Sequence, residues 1–531
     1  MSNKEEIKSL LDKNPQYKQD LFKRGFLITS NKNIDDKEYP FYDLWKKESI
    51  GQYEVYLHPK QNLYKYEYKE KIFFLIGHAY NPYTMEIDEI KILEKIANNS
   101  DAQDKNYFDA INEVTGLFIF GYVENEKLQI IIDCAGMQGG YYGIAKNDVY
   151  ISSHMQLIGD ICDLEMDQYV KDLVNYKFYK LYGPFLPGDL SSYKEIKRLV
   201  PNTYVNYSDG HFTVKRFFPN ENIKVCSNKE EYDKTIKEIG EQLHRNMELI
   251  SKKWSKPAIS MTGGMDSKTT VACTNGLYDK FKYFSYISMD GEAIDANAAH
   301  IISKDIGIEH KIYDIPRNND EFKDLDIVTT IINHNFGNIG KLNQNDMRKR
   351  LYFRDTEDFD VEVKSWVSEI GRANYYKKFG KKKMPTPLSN RNLTSMYKLF
   401  VTNRKLVKQT DKAFEEYRKK FNFDNGLYNY DPSDMFLWEI RYGGWGGLVI
   451  TGEHRYSFDI TIPYNNRNLM KLFLSLPLED RIKDKPHEDV IKLMNKTIDD
   501  TGITIVNYNE TKKRMYIEKM YFDLNNWFEF I

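Results

Sequence analysis

Apolar and polar positions alternate with period two over Tyr53–Leu57 and Tyr64–Tyr68, the pattern of half-buried strands. Longer apolar runs over Gly25–Thr29, Lys71–Tyr80, Gly116–Tyr122, Leu128–Asp133 and Val149–Ser153 predict further strands, with a turn at Glu124-Asn125. One helix is predicted over Asp88–Ala97, and residues 3–23 read as an amphipathic lead-in, helical in part. Strands dominate this half, so it reads as stacked sheets with flanking helices. Residues 218–230 read as a linker. The period then changes. Tyr232, Ile236, Ile239, Leu243, Met247 and Ile250 are spaced for one helix face. Short apolar strands follow at Ala258–Met261, at Tyr283–Ser288 (ending at Asp290-Gly291) and at Ile308–Tyr313, with a helix over Asp295–Ile302. Such alternation predicts a parallel α/β sheet, whose ligands sit at the carboxyl ends of strands. Residues 396–420 and 431–441 read as helices around Phe400 and Trp438, and Gly443–Gly447 as a flexible turn.

Composition narrows the chemistry. At 531 residues, two or three domains are expected. Lys+Arg of 76 against Asp+Glu of 78 gives a net charge of −2, with no global pull toward nucleic acid or membrane. The basic clusters Lys381-Lys382-Lys383 and Arg348-Lys349-Arg350 read as solvated faces. Four cysteines, Cys134, Cys162, Cys226 and Cys273, lack C-x-x-C spacing, so neither a zinc site nor a disulfide framework is implied. The chain start has no apolar signal core and no run reaches membrane-spanning length, which points to a reducing cytoplasm. The forty tyrosines read as compositional bias.

The most informative stretch is Pro257-Ala258-Ile259-Ser260-Met261-Thr262-Gly263-Gly264-Met265-Asp266-Ser267-Lys268. It reads as strand, tight turn and helix start. Glycines let a backbone approach an anion closely, and a helix start adds unpaired N–H groups. A carboxylate inside the turn suits a Mg²⁺ ion shared with phosphates. The string Thr262–Ser267 resembles the pyrophosphate loop, Ser-Gly-Gly-x-Asp-Ser, of the asparagine synthetase family and other ATP pyrophosphatases, with Thr262 keeping the first hydroxyl. The G-x-x-x-x-G-K-[ST] loop is absent from the sequence.

The first half is similar to the glutaminase domain of that family. The matching order is Gly116–Phe120, then Asp133-Cys134-Ala135-Gly136 to Tyr141-Tyr142, then Ile151–Ser153. Glu195–Asn202 with Tyr204-Val205 resembles that domain's closing hairpin. A working glutaminase of this kind needs an N-terminal cysteine as nucleophile. Here Met1-Ser2-Asn3 opens the chain and no cysteine precedes Cys134. Self-cleavage exposing Thr29 or Ser30 would remove strand residues. The resemblance therefore implies a lead-in over 1–24 and a glutaminase-like, Ntn-type stacked-sheet αββα domain over 25–220 without glutaminase chemistry. It implies a parallel α/β synthetase domain of the pyrophosphate-loop type over 230–531.

The resemblance also assigns residues. Gly263, Gly264 and Ser267 match phosphate contacts, and Asp266 and Asp295 resemble Mg²⁺ ligands. Backbone near Ser260–Met261 and Ile287–Ser288 would frame adenine, and Thr262 belongs to the same loop. Trp366–Gly371 stands where the family has Leu-Ser-Gly-Glu-Gly-x-Asp-Glu: Ser368 and Gly371 fit, but Arg372-Ala373-Asn374 replaces the following acids. Glu369 is the carboxylate left to serve, and Arg372 is suited to pyrophosphate or a substrate carboxylate. Phe458–Asn465 and Leu472–Pro477 resemble the family's Glu-x-Arg-Val-Pro-Phe-Leu-Asp and downstream Leu-Pro, with Thr461 in place of the Arg. Lys485 sits near the family's pyrophosphate lysine. His310, His454 and His487 read as structural or exposed. The implied activity is a two-step ligase reaction with ATP and Mg²⁺, joining a small-molecule or peptide carboxylate to an amine other than glutamine-derived ammonia. A nucleotide-binding scaffold, a glutamine-independent asparagine synthetase and a tRNA-modifying pyrophosphatase are the alternatives. A homodimer or a biosynthetic partner protein is left open.

Overall fold

The computed structural model describes residues 3–100, 104–340, 342–400, 403–503 and 512–528. Among the described residues, seventeen strands, β1 Phe26–Thr29, β2 Lys46–Ile50, β3 Tyr53–Leu57, β4 Leu63–Tyr68, β5 Lys71–Tyr80, β6 Thr115–Glu124, β7 Lys127–Ile132, β8 Tyr141–Ala145, β9 Asp148–Ser152, β10 Ile196–Arg198, β11 Thr203–Ser208, β12 His211–Arg216, β13 Pro257–Ser260, β14 Lys282–Ile287, β15 His310–Asp314, β16 Val361–Val363 and β17 Asp459–Thr461, make three sheets.

Two of these sheets are antiparallel, in the orders β10-β8-β9-β1-β3-β2 and β12-β11-β7-β6-β5-β4. They share an apolar core. Phe26, Ile28, Val55 and Ile151 from the first meet Phe74, Ile76, Ile119, Ile130 and Ile132 from the second. Register keeps these side chains on one face: Ile28 lies opposite Val55 and Ile151, and Ile119 opposite Ile76 and Ile132. The intervening Phe73, Leu75 and Ala79 of β5 are also buried, in the core that holds Ile92, Leu93 and Ile96 of the Glu89–Asn98 helix. Burial on both faces is why β5 reads as an unbroken apolar run rather than an alternation. Asp88 caps that helix by accepting from the Ile90 N–H.

The third sheet is parallel throughout, in the order β15-β14-β13-β16-β17. The chain runs outward from β13 through β14 to β15, then returns to lay β16 on the other side of β13. The reversal lies between β13 and β16, which puts a crevice beyond their carboxyl ends.

Several expectations are corrected. The expected closing hairpin is split: β10 pairs with β8 in one sheet, whereas β11 and β12 form a hairpin in the other. Asp290-Gly291 does not end a strand but begins the Asp290–Asp305 helix. The 396–420 helix is two, Asn390–Tyr397 and Arg404–Lys420, and residues 401–402 lie outside the described residues. Arg348-Lys349-Arg350 is not a solvated face: Lys349 pairs with Glu292 and Arg350 with Glu453, both cations being buried.

The largest departure is the glycine run. Gly443–Gly446 ends a π-helical segment, Leu437–Gly446, which continues directly into the Gly447–Gly452 helix. The glycines serve contact, not flexibility. A Cβ on Gly447 would lie 2.2 Å from the Gly136 carbonyl oxygen, and one on Gly443 would lie 2.7 Å from Pro201. The Asp133–Gly136 turn after β7 therefore seats against this helix. Its other bonds also reach the C-terminal half: Asn465 Nδ2 donates to Asp133, and Trp438 Nε1 donates to the Cys134 carbonyl at 2.7 Å. Asp133 itself accepts from the Met137 and Gln138 N–H groups. It acts as a structural anchor.

Candidate functional site

The crevice is a cavity of about 410 Å³ lined by residues from four stretches of the chain. Ser260, Met261, Thr262, Gly264, Asp266 and Ser267 come from β13 and the loop after it. Ser285 and Tyr286 come from β14, and Glu292, Asp295 and Ala296 from the Asp290–Asp305 helix. Lys364, Ser365, Trp366 and Glu369 follow β16.

The loop is fixed by its own hydroxyls. The Thr262 N–H donates to Ser267 Oγ at 3.0 Å and the Gly264 N–H to Thr262 Oγ1 at 3.2 Å. Ser285 Oγ donates to the Met261 carbonyl and so ties the strand end to β14. Gly264 has ordinary extended torsions, φ −73° and ψ 156°, and starts the Met265–Ala272 helix. A Cβ at Gly264 would meet only Thr262 Oγ1, at 3.2 Å. The missing side chain clears the space in front of the loop and relieves no strained torsion.

Asp266 lies in the first turn of that helix. Its two oxygens differ in surroundings. Oδ1 accepts from the Ser368 hydroxyl at 2.6 Å, and Oδ2 accepts from Arg372 Nη1. The opposite edge of the guanidinium grips Asp484, through Nε at 2.7 Å and Nη2 at 3.0 Å, and Lys377 Nζ joins the same carboxylate. These carboxylates hold the Arg372 pKa above its ordinary value despite the opposing effect of burial. Asp484 carries its side chain here from a left-handed torsion, φ 62°.

Asp295 accepts from the Gly263 backbone N–H, which lowers its pKa, but burial outweighs this and the net shift is upward. Glu369 shows the larger effect. Burial, reinforced by the neighbouring Asp266 charge, raises its pKa to about 7, and the Tyr442 hydroxyl donates to its carboxylate. The turn carrying Glu369, Ser368–Arg372, is bracketed by Val367 at φ 78° and Ala373 at φ 48°. A β-branched residue with positive φ is costly, and such strain concentrates where a side chain must be aimed. Tyr442 reaches Glu369 from the π-helical segment, whose widened turn shifts side chains out of α register.

Most predicted residues therefore meet at or beside one crevice, with two differences. Lys485 is turned away: its ammonium lies 4.2 Å above the Tyr232 ring and 3.7 and 3.8 Å from Asp489 and Asp480, in a separate surface groove. Ile287 and Ser288 do not line the cavity. Ser285 and Tyr286, one turn of pleat earlier, do, while Ser288 bonds Glu292 Oε2 through both N–H and hydroxyl. Of the two alternatives read for His487 and His454, structural or exposed, the structure gives burial, which drives both pKa values down, that of His487 to about 4.

Sequence reasoning passed over Lys364. It follows β16, lines the cavity and pairs with the buried Glu362 at 2.7 Å. Burial lowers its pKa, with Glu362 opposing. Val361-Glu362-Val363 is too short for periodicity to reveal, yet a parallel sheet needs a strand there to cover β13. Tyr442, Asp484, Lys377 and Trp366 were passed over as well. Trp366 stacks on Trp445 with centroids 5.0 Å apart.

Among the described residues, no group of three or more His, Cys, Asp or Glu is arranged to hold a metal by protein atoms alone. A Mg²⁺ arriving on a triphosphate needs only one or two carboxylates, with phosphate oxygens and water completing its shell. Asp266 Oδ2 and Asp295 supply hard oxygens of that kind, so the residues fit a metal that comes with its phosphates. No described helix is long and apolar enough to cross a membrane.

No family model matches the chain, and no curated protein sequence matches it. Solved structures give remote similarities. One is glutamine-dependent NAD+ synthetase from Acinetobacter baumannii, with 12% identity over 31% of this chain and TM-score 0.17; the match spans only 28% of that protein's length. Another is glutamine phosphoribosylpyrophosphate amidotransferase from B. subtilis, with 9% identity over 69% of this chain and 74% of that one, TM-score 0.21. A third is NH3-dependent NAD synthetase from Campylobacter jejuni, with 13% identity over 39% of this chain and 91% of that one, TM-score 0.19. Similarity at this level carries no functional argument, which rests on the crevice itself.

Proposed function

We propose that the chain is an ATP-dependent, AMP- and pyrophosphate-forming ligase that activates a carboxylate and transfers it to an amine. The observation that carries this reading is the Thr262–Ser267 loop opening on a cavity at the switch point of a parallel sheet, with Lys364, just past the end of β16, lining the same cavity. In the first step a substrate carboxylate oxygen bonds to the α-phosphorus of ATP, and the bond to the β-phosphate oxygen breaks, releasing pyrophosphate. In the second step the amine nitrogen bonds to the acyl carbon, AMP departs, and the amine loses a proton.

Loop N–H groups and the Met265–Ala272 helix start favour the phosphates. Lys364 and Arg372 supply positive charge where negative charge builds up. Mg²⁺, held by Asp266 and Asp295, would offset phosphate charge. Glu369 is suited to accept the amine proton: its pKa of about 7 matches neutral pH, and Tyr442 orients it. Ser260–Met261 and Ser285–Tyr286 are suited to border the adenine.

Residues 25–220 are read as a glutaminase-like sheet pair without its chemistry. The described residues before β1 already form a helix and a 3₁₀ turn, Asn3–Lys13 and Pro15–Asp20, and Gly25 precedes the strand where a nucleophile would be needed. Burial pushes the Cys134 thiol pKa up, which makes it a poor nucleophile. Purified protein is therefore expected to release no glutamate from glutamine. Steady release abolished by thiol alkylation would contradict this.

A second reading has one observation in its favour. Arg372 occupies Asp266 Oδ2, the oxygen a metal would need, as in a nucleotide-binding homologue that has lost turnover. Incubation with MgATP, a panel of carboxylic acids and hydroxylamine as amine separates the two. The ligase reading predicts acid-dependent AMP, pyrophosphate and hydroxamate. Nucleotide binding with none of these products supports the scaffold.

A further inference from the structure

His487 lies in the Lys485–Met494 helix and is fully buried, with its ring stacked on Phe473 at 5.0 Å. Neither ring nitrogen has a hydrogen-bond partner. A buried polar group without a partner costs free energy, so it calls for an explanation. Its Nε2 stops 3.8 Å from Asp266 Oδ1, just beyond hydrogen-bond distance. That oxygen is the one Ser368 holds, while Oδ2 carries the Arg372 ion pair. Arg372 and Lys377 are both moored to Asp484, three residues before His487. The backbone N–H of His487 itself donates to the Asp484 carbonyl at 3.0 Å.

We propose that His487 is a positioning residue for Asp266: when Arg372 turns from Asp266 to the phosphates, the imidazole N–H closes on Oδ1 and aims Oδ2 at the incoming metal. This rests on the nucleotide reading above. The geometry gives each group one task. Ser368 and His487 hold Oδ1 from two directions, and Arg372 screens Oδ2 until a phosphate competes for it. Asp484 limits how far the guanidinium travels. A neutral imidazole suits this place, since it donates one hydrogen bond without adding a cation that would repel the metal.

The test measures ATP affinity by calorimetry with Mg²⁺ and with EDTA, together with the melting temperature of the ligand-free protein. His487→Phe keeps the stacking and removes the donor. His487→Gln keeps a donor near the Nε2 position. Wild type should bind ATP more tightly with Mg²⁺ than with EDTA. His487→Phe should lose about tenfold of the Mg²⁺-supported affinity, the worth of one hydrogen bond to a charged group, with EDTA affinity unchanged. His487→Gln should recover most of that loss, and in an Asp266→Asn background His487→Phe should change nothing further. If the Phe variant does not fold, His487→Asn, too short to reach Oδ1, replaces it in the comparison with Gln. A wild-type Mg²⁺ gain in the variant that lacks the donor would overturn the role of His487 and leave the nucleotide reading intact. Equal losses in Mg²⁺ and EDTA would do the same. Absence of any Mg²⁺ gain in wild type would overturn both.

Discussion

Arg372 and Asp266 form an ion pair directly beside the Thr262–Ser267 loop, and the same guanidinium is clamped from behind by Asp484. Without nucleotide, the acidic residue best placed for a metal is thus neutralised. The pair also supplies a cation that phosphates can recruit.

On the proposed reading, Glu369 would make amine transfer pH-dependent. Protonated, its carboxyl cannot take a proton from the amine; ionised, it can. Burial holds its pKa above the ordinary carboxylate range, so amine transfer should rise with pH above that range, and Glu369→Gln should be slow and flat. Stability moves the opposite way. The pKa is raised from the ordinary 4.5, so the folded state holds the proton more tightly and loses stability as pH climbs from about 4.5 to 7. The melting temperature of Glu369→Gln should match wild type at pH 5 and exceed it at pH 8. Coincident curves at both pH values would count against the raised pKa.

Lys364 and Lys485 make opposite forecasts. Lys364 lines the cavity, whereas Lys485 rests on Tyr232 in another groove. Lys364→Met should cut pyrophosphate release by about a hundredfold, the scale of one lost transition-state contact. Lys485→Met should leave it within about twofold. Steady-state rates on both variants decide which lysine faces the chemistry.

Much of this was legible in the sequence, and the failures have physical causes. Strand β5 and the Glu89–Asn98 helix were readable because burial on a fixed period writes itself into side-chain type. The loop was readable because Gly263, Gly264, Asp266 and Ser267 are local in sequence. Gly443–Gly447 was misread because a glycine run looks alike whether it bends or lets two backbones touch. Lys485 could not be placed from sequence because its neighbour Asp484 meets Arg372 while Lys485 itself lies over Tyr232, and neither contact is local in the chain. Lys364 was passed over because the strand before it is only three residues long, and His487 because the carboxylate it approaches, Asp266, is far away in the chain.

The glycine contact itself is testable. Gly447→Ala would drive a methyl into the Gly136 carbonyl at 2.2 Å, and overpacking of this kind costs about 1–3 kcal/mol or more. Gly291→Ala, where a Cβ would meet nothing within 4 Å, is the control and should be neutral. Thermal unfolding of both variants is the measurement; equal melting temperatures would mean that the turn yields freely.

The glutamine result belongs with these. If residues 25–220 are glutaminase-like, as proposed, a nucleophile would be needed at the start of β1, and Arg24-Gly25-Phe26 offers no cysteine, serine or threonine. Glutamate release should stay at background across the pH range in which transfer is active.

Asp266→Asn tests the central claim most directly. Helix capping is no rival explanation, since the Asp266 carboxylate takes its hydrogen bonds from Ser368 and Arg372 rather than from helix N–H groups. Asn keeps an oxygen for Ser368 but removes the anionic ligand a metal needs. Arg372 keeps Asp484 as its partner when Asp266 loses its charge, so the ligand-free melting temperature should fall by only a few degrees. Calorimetry with MgATP on wild type and Asp266→Asn is the deciding measurement. The account predicts clear binding to wild type, at least tenfold weaker binding to the variant, and no pyrophosphate release from it. Equal affinity and equal turnover in the two proteins would contradict it.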